Sequence, residues 1–246
     1  MTPVSGETCN VCGEGLPGLH HTSEFQTCSA CQDSRPLFAK AKAYGAYRGE
    51  LRELIHLLKY EGVLPARHVL GRMLAEAIGK LNISKLNIGG GPVLMVPVPL
   101  YSSKKRQRGF NQSELIARTA LKNLGLKDLG LKNLGLKNEG KLNFQLLTDV
   151  LVRERDTVSQ IGLTRPQRAE NIRGAFRVPH PSRVAGHKVL LVDDVLTTGT
   201  TASECARVLR KAGAESVWVA TVGRTLKENI AILQVKPQFE NTAQVS

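Results

Sequence analysis

Aromatic residues are scarce in this 246-residue chain, with one tryptophan, four tyrosines and six phenylalanines. Stacking platforms of the kind that hold single-stranded nucleic acid without sequence preference therefore have few side chains to draw on. No run of about 18 or more apolar residues occurs, so no membrane insertion is expected. The start, Met1-Thr-Pro-Val-Ser-Gly-Glu, lacks the basic-then-apolar order of a secretory signal, and the expectation is a cytoplasmic protein. Cysteines are too few and too uneven for a disulfide framework: four of the five fall between Cys9 and Cys31, and Cys205 stands alone. Acids are under-represented, 21 against 34 lysines and arginines, giving a formal charge of +13. Such an excess attracts polyanions, nucleic acid or phosphorylated metabolites, without choosing between them, and a merely solvated basic surface is the plainer alternative.

What is present fits one globular domain with a small appendage, since 41 % of residues are hydrophobic and 22 % charged. The appendage carries two Cys-x-x-Cys pairs, Cys9-Asn-Val-Cys12 and Cys28-Ser-Ala-Cys31, separated by fifteen residues rich in Gly, His, Ser and Thr. Each pair forms a tight knuckle whose thiolates converge, and two knuckles supply the four tetrahedral ligands that zinc prefers. A closed four-sulfur site leaves no open position for substrate, so the expected role is structural, holding together a segment with almost no apolar core. Loss of a cysteine is then expected to unfold that segment alone. A redox pair or an iron centre is the alternative for the same thiolates. His20 and His21 are alternative ligands, or simply solvated.

The rest of the chain alternates helical and strand patterns. Leu51, Leu54, Ile55 and Leu58 recur at helical spacing up to Gly62, and Val69, Leu70, Met73, Leu74, Ala77, Ile78 and Leu81 form a second stripe after Pro65. Four apolar runs read as buried parallel strands: 93–98, 146–152, 187–192 and 216–222. Asn111-Gln-Ser-Glu114 and Thr164-Arg-Pro-Gln167 read as capping boxes, and a further helix is expected from about Thr201 to Ala212, ended by Gly213. The pattern predicts an α/β domain with a central parallel sheet. Two tracts interrupt it, 80–91 and 121–141, built on five-residue units such as Leu121-Lys-Asn-Leu-Gly and Leu131-Lys-Asn-Leu-Gly. A period of five suits neither helix nor strand, so both read as insertions, extended or partly helical. The expected organisation is a four-cysteine module over 1–40, the α/β domain over 41–235 and a tail over 236–246.

The stretch Val189-Leu-Leu-Val-Asp-Asp-Val-Leu-Thr-Thr-Gly-Thr-Thr201 carries the chemistry. Ligands of open α/β sheets bind at the carboxyl ends of strands, where a loop entering a helix offers unpaired N–H groups and the positive end of the helix dipole. Thr197, Thr198, Gly199, Thr200 and Thr201 can surround one phosphate with N–H and hydroxyl groups, and Gly199 permits close approach or positive φ. Asp193 and Asp194 can accept hydrogen bonds from vicinal sugar hydroxyls or hold a divalent cation. Either half alone is readily a helix cap or an ordinary turn; together they describe a site for a ribose 5-phosphate.

These residues resemble the phosphoribosyl-pyrophosphate signature of type I phosphoribosyltransferases, and the wider chain is similar to the ComF family, the competence-associated members of that superfamily. The resemblance rests also on the four cysteines and on the segments 47–62, 96–100, Arg106-Gln-Arg-Gly-Phe-Asn-Gln112 and 160–176. It implies a phosphoribosyltransferase-like sheet flanked by helices, phosphoribosyl pyrophosphate bound with Mg²⁺, and the 5-phosphate on Thr197 to Thr201. It further implies that Pro97, Pro99 and Leu100 approach the pyrophosphate, that Arg106 and Arg108 add positive charge there, and that Arg165 and Arg168 belong to a mobile hood. Arginine suits this because its planar fork binds phosphate oxygens in pairs. The implied reaction is displacement at the anomeric carbon with pyrophosphate leaving, yet no residue stands out as the base that would activate an acceptor. The competing expectation is a non-catalytic protein that handles incoming single-stranded DNA, or contacts competence proteins, through its basic surface and cysteine module.

Overall fold

The computed structural model describes residues 7–16, 26–81, 91–130, 143–157 and 165–226. His20 and His21, most of the first repeat tract, residues 131–142 of the second, Thr164 and the tail lie outside the described residues.

Five parallel strands form the central sheet in the order β1-β7-β6-β2-β3: β1 is Lys40–Ala46, β2 Val93–Pro97, β3 Phe144–Leu146, β6 Lys188–Leu196 and β7 Ser216–Arg224. Strand alternation divides the apolar residues between two faces. Leu94, Val96, Val189, Leu191, Val217 and Val219 share one core with α7 (Thr200–Lys211) and the four cysteines. Val93, Met95, Leu190, Val192, Ala220 and Val222 face the other, against α2 (Gly49–Tyr60), α3 (Ala66–Gly79) and α5 (Gln112–Gly130). Burial on both faces explains why β2 and β6 read as continuous apolar runs. Gly71 lets α3 and α5 cross closely, because a Cβ there would lie 2.5 Å from Thr119 Cβ. The cysteine segment, including α1 (Ser29–Asp33), is laid on the sheet: Ala41 N–H donates to the Val11 carbonyl at 2.7 Å, and Cys9, Val11, Cys12, Cys28 and Cys31 are core residues.

Two details differ from expectation, and a third falls within the partly helical reading of the repeats. The run 146–152 is not one strand; only its first residue extends the sheet edge, the chain turns at Thr148 and Asp149, and Val152–Arg153 (β4) pairs antiparallel with Phe176–Arg177 (β5). Leu147, Val150 and Leu151 are buried without being in a strand, and Asp149 leaves the interior to meet Arg183 at 2.6 Å, so apolarity there reports packing rather than pairing. Edge strand β1 is missed by hydrophobic pattern because only Ala41 and Gly45 are buried along it. The second repeat tract begins as helix, since α5 continues to Gly130 and Leu124 packs on the core.

Two further α-helices, α4 (Ser102–Arg108) and α6 (Arg165–Ile172), and a 3₁₀ helix at Pro181–Arg183 complete the described helices. Asn111 caps α5, accepting the Ser113 N–H at 3.1 Å, while Glu114 turns to Arg118 at 2.8 Å instead of closing a reciprocal box. No helix among the described residues is long and apolar enough to cross a membrane.

Candidate functional site

Strand β6 runs four residues past the apolar stretch 189–192 and carries Asp193 and Asp194 towards its carboxyl end, in the middle of the sheet. Asp193 Oδ1 accepts from Ser113 Oγ at 2.8 Å and from the Asp194 N–H at 2.9 Å. Asp194, 4 % exposed, accepts the Val195 N–H through Oδ1 and forms an ion pair with Lys59 Nζ of α2 through Oδ2. The two carboxylates thus have one neighbouring ammonium, which pairs with Asp194. Burial and the charge of Asp194 push Asp193 up from the ordinary 3.8 to about 7, against the pull of Lys59 and Ser113. One proton belongs to this pair across that interval. The folded chain holds it and the unfolded chain does not, so the pair's contribution to stability falls as pH rises from 3.8 to about 7.

That titration makes a prediction for binding. For the ribose 5-phosphate site expected from the sequence, whose sugar hydroxyls would donate to both carboxylates, the ionised pair is needed, so affinity should rise roughly tenfold between about pH 6 and about pH 8. Titration calorimetry checks it, with Asp193→Asn as the reference: the variant should retain only the milder dependence due to the phosphate's own ionisation. A wild-type profile no steeper than the variant's would contradict the assignment of the proton to this pair.

Immediately after the pair the chain turns into α7. Gly199 sits at its N-cap with φ 80°, and its carbonyl accepts the Ser203 N–H at 2.8 Å. An added Cβ would meet only the Phe38 ring and Leu196 at 3.8 to 3.9 Å, so glycine is required by conformation and not by space. The first N–H groups of a helix have no intrahelical acceptor, and here they open beside Thr198 Oγ1 and Thr200 Oγ1, which lie 3.0 Å apart. Thr197 is exposed and Thr201 half-buried on the same turn. Two cavities, about 410 and 320 Å³, flank this loop; Arg168 enters the wall of the larger beside Thr197 and Thr198.

A third cavity of about 560 Å³ adjoins the acidic pair through Lys59, with Lys59, Lys104, Arg108 and the carboxylate Glu61 in its walls. Arg108 is set by the Tyr60 ring, 5.6 Å from its guanidinium, and by donation to Gln112 Oε1. Pro97 is opposite Val192 in the sheet, the Val98 N–H donates to the Val192 carbonyl at 2.8 Å, and Asn111 Nδ2 donates to the Val98 carbonyl at 3.0 Å. These bonds hold Pro97 and Val98 next to the carboxyl half of β6, and Pro99 and Leu100 follow directly in the chain. Arg106 is exposed on α4, and the Arg165 side chain lies outside the described residues.

The four cysteines form a second centre. Cys9, Cys12, Cys28 and Cys31 are buried, free of disulfides, and present sulfurs within 4.8 Å of one another. A tetrahedron of thiolates about 2.3 Å from an ion has edges near 3.8 Å, so this donor set could hold a thiophilic metal ion. Hydrogen bonding from Cys12 lowers the Cys9 thiol, while the same bond raises Cys12 and burial raises Cys31. Metal uptake must therefore displace thiol protons. Cys205, on α7, is separate; it is fully buried and pushed well up by burial and by the charge of Asp193.

Sequence reasoning missed Lys59, Ser113, Glu14 and Arg224, and read Asn111 only as the start of a capping box. Arg224 ends β7 and is 4 % exposed; it meets Glu14 at 2.7 Å and the threonine loop through the Thr197 carbonyl at 2.6 Å. The four missed residues have no local signal, because each acts on a partner far away in sequence.

Comparison with known proteins agrees with this geometry. A family model described as Phosphoribosyl transferase domain matches residues 141–233, spanning β3 to β7. DNA utilization protein YhgH of Escherichia coli (strain K12) is 30 % identical over 219 residues, covering 89 % of this chain and 84 % of that protein. Competence protein F of Haemophilus influenzae is 28 % identical over 218 residues, covering 88 % and 84 %. Ribose-phosphate pyrophosphokinase 2 of Archaeoglobus fulgidus is 46 % identical over 54 residues, 22 % of this chain and 20 % of that one. With a parallel sheet, an acidic pair leading into a threonine loop, four clustered cysteines and relatives of this extent, the chain belongs to the ComF family of phosphoribosyltransferase-like proteins.

Proposed function

We propose that this protein binds phosphoribosyl pyrophosphate and that this binding serves DNA uptake in the cytoplasm. The observation that carries the reading is the sequence of surfaces along one sheet edge: threonine loop, acidic pair, cationic cavity. They match, in order, a 5-phosphate, a ribose diol and a pyrophosphate. Thr198, Gly199 and Thr200 would hold the phosphate, with Thr197 and Thr201 beside them and Arg168 closing from the hood. Asp193 and Asp194 would take the ribose hydroxyls. Lys59, Lys104 and Arg108 would face the pyrophosphate, with the 97–100 loop alongside.

Mg²⁺, when bound with the ligand, would neutralise charge on the pyrophosphate, a task the acidic pair and the cationic wall are suited to support. If transfer occurs, the bond from the ribose anomeric carbon to pyrophosphate oxygen breaks and a bond to the acceptor forms, and the fixed cations stabilise the charge left on the leaving group. The four cysteines would hold zinc as a structural ion.

The deciding experiment is calorimetric titration of phosphoribosyl pyrophosphate with Mg²⁺ into the wild type and into Asp193→Asn/Asp194→Asn. Binding by the wild type and at least about 100-fold weaker binding by the variant is expected, since two charge-assisted contacts are lost. No binding to folded wild type would overturn the reading. The +13 charge favours a second one, direct contact with single-stranded DNA. In that case affinity for an oligonucleotide should fall steeply between low and moderate salt, whereas the cradled sugar phosphate should respond less.

A further inference from the structure

Arg224 stands where the metal centre and the phosphate loop meet. Its Nη1 donates to the Thr197 carbonyl at 2.6 Å and the Leu196 carbonyl at 3.3 Å. Its Nη2 donates to Glu14 Oε2 at 2.7 Å and lies 3.6 Å from Cys12 Sγ. One half of a single buried guanidinium therefore grips the first residue of the phosphate loop, and the other half grips the first cysteine knuckle. Glu14 is itself fixed by that knuckle: the Cys9 N–H donates to its carbonyl at 2.7 Å, and the Gly13 N–H donates to the Cys9 carbonyl at 2.9 Å. The chain after the second knuckle reaches α7, where Ser203 Oγ accepts the Leu37 N–H at 3.0 Å, and Cys28 and Cys31 share the larger cavity with Thr197 and Thr198.

We propose that Arg224 is a positioning residue that couples metal binding at the four cysteines to phosphate binding at Thr197–Thr201, so that the metal-loaded knuckle holds the loop in its binding shape. The coupling rests on the sugar-phosphate reading above, but its cause is local. Four thiolates with a divalent cation carry net negative charge next to the guanidinium, and the closed knuckle keeps Glu14 in reach. A knuckle without its ion gives Arg224 weaker acceptors, and the Thr197 carbonyl loses its fixed partner. By reciprocity a bound phosphate also strengthens metal retention.

The test crosses two perturbations. Ribose 5-phosphate is titrated into wild type, Arg224→Gln and Glu14→Gln, each before and after metal removal by chelator, with metal content measured by mass spectrometry. Chelation should weaken binding to the wild type roughly tenfold or more, the usual size of coupling between sites. Arg224→Gln should keep its metal, bind about as weakly as chelated wild type, and lose little more on chelation; Glu14→Gln should fall between. Equal chelation losses in wild type and Arg224→Gln would overturn the proposal, as would wild-type affinity in the arginine variant. Hydrogen exchange of amides 197–201 supplies a readout free of ligand. Faster exchange in both the chelated wild type and Arg224→Gln is expected, and unchanged exchange would sink the coupling even if ribose 5-phosphate never binds. Arg224→Lys repeats the comparison should the glutamine variant fold poorly.

Discussion

Replacing Lys59 with methionine should cost about 3–5 kcal/mol of folding stability at pH 8 and distinctly less at pH 5.5, because removing one partner of a buried ion pair leaves the other charge uncompensated. The Lys59 side chain is 17 % exposed and that of Asp194 5 %, so water screens this pair little. Burial works to lower the Lys59 pKa, yet attraction to Asp194 and its hydrogen bond raise it above the ordinary value, so the ammonium is favoured in the folded chain. A raised lysine pKa contributes stability throughout the neutral range, lost only as pH climbs past its ordinary value of 10.5. In the variant, Asp194 faces Asp193 with no neighbouring ammonium. The carboxylates repel, and stability returns as acid supplies the missing proton. Urea unfolding midpoints at the two pH values test this. Lys59→Arg should retain most of the wild-type stability, and Lys59→Met combined with Asp194→Asn should recover much of the loss at pH 8. A midpoint for Lys59→Met that equals the wild type at both pH values would show that the ion pair is not a term in folding.

The same pair marks the limit of what the sequence conveys. Asp193, Asp194 and the threonine loop are legible because strand, acids, glycine and helix start follow one another without a break, so every local signal refers to the same site. Gly199 even specifies its own backbone, since φ near 80° is a conformation glycine adopts freely. Lys59 gives no such sign. It sits on α2 between Leu58 and Tyr60 as an ordinary polar position of an amphipathic helix, and only the packing of α2 over the carboxyl end of β6 brings its ammonium to Asp194. Ser113 and Arg224 are silent for the same reason, reaching Asp193 and Thr197 across 80 and 27 residues of chain. Apolar runs are informative where both faces of a strand are covered, as in β2 and β6, and misleading at 146–152, where burial comes from a turn tucked under the sheet. The edge strand β1 is the converse, paired in the ladder but with little to bury.

The largest effect expected outside the acidic pair comes from the cysteines. Cys28→Ser, or chelation of the wild type, should lower the melting temperature of the whole α/β domain by about 10–20 °C, because losing a structural metal removes on the order of 5 kcal/mol and a domain of this size shifts by roughly 2–4 °C per kcal/mol. A segment held together by its metal alone would instead melt separately and leave the sheet as it was. The contacts favour the first outcome. Cys9, Cys12, Cys28 and Cys31 lie in one core with Phe38, Ala41, Val217 and Val219, so opening the knuckles uncovers one face of β1 and β7. The first knuckle also hydrogen-bonds to β1 through the Val11 carbonyl, and Lys42 Nζ reaches Thr8 Oγ1 at 3.0 Å. Arg224 adds a buried charge that would lose Glu14 and be left facing carbonyls. Scanning calorimetry separates the two cases: one cooperative transition displaced downward is expected. Two transitions, with the larger at its original temperature, would show that the cysteine segment is a separable unit and that its burial against the sheet contributes little to the fold.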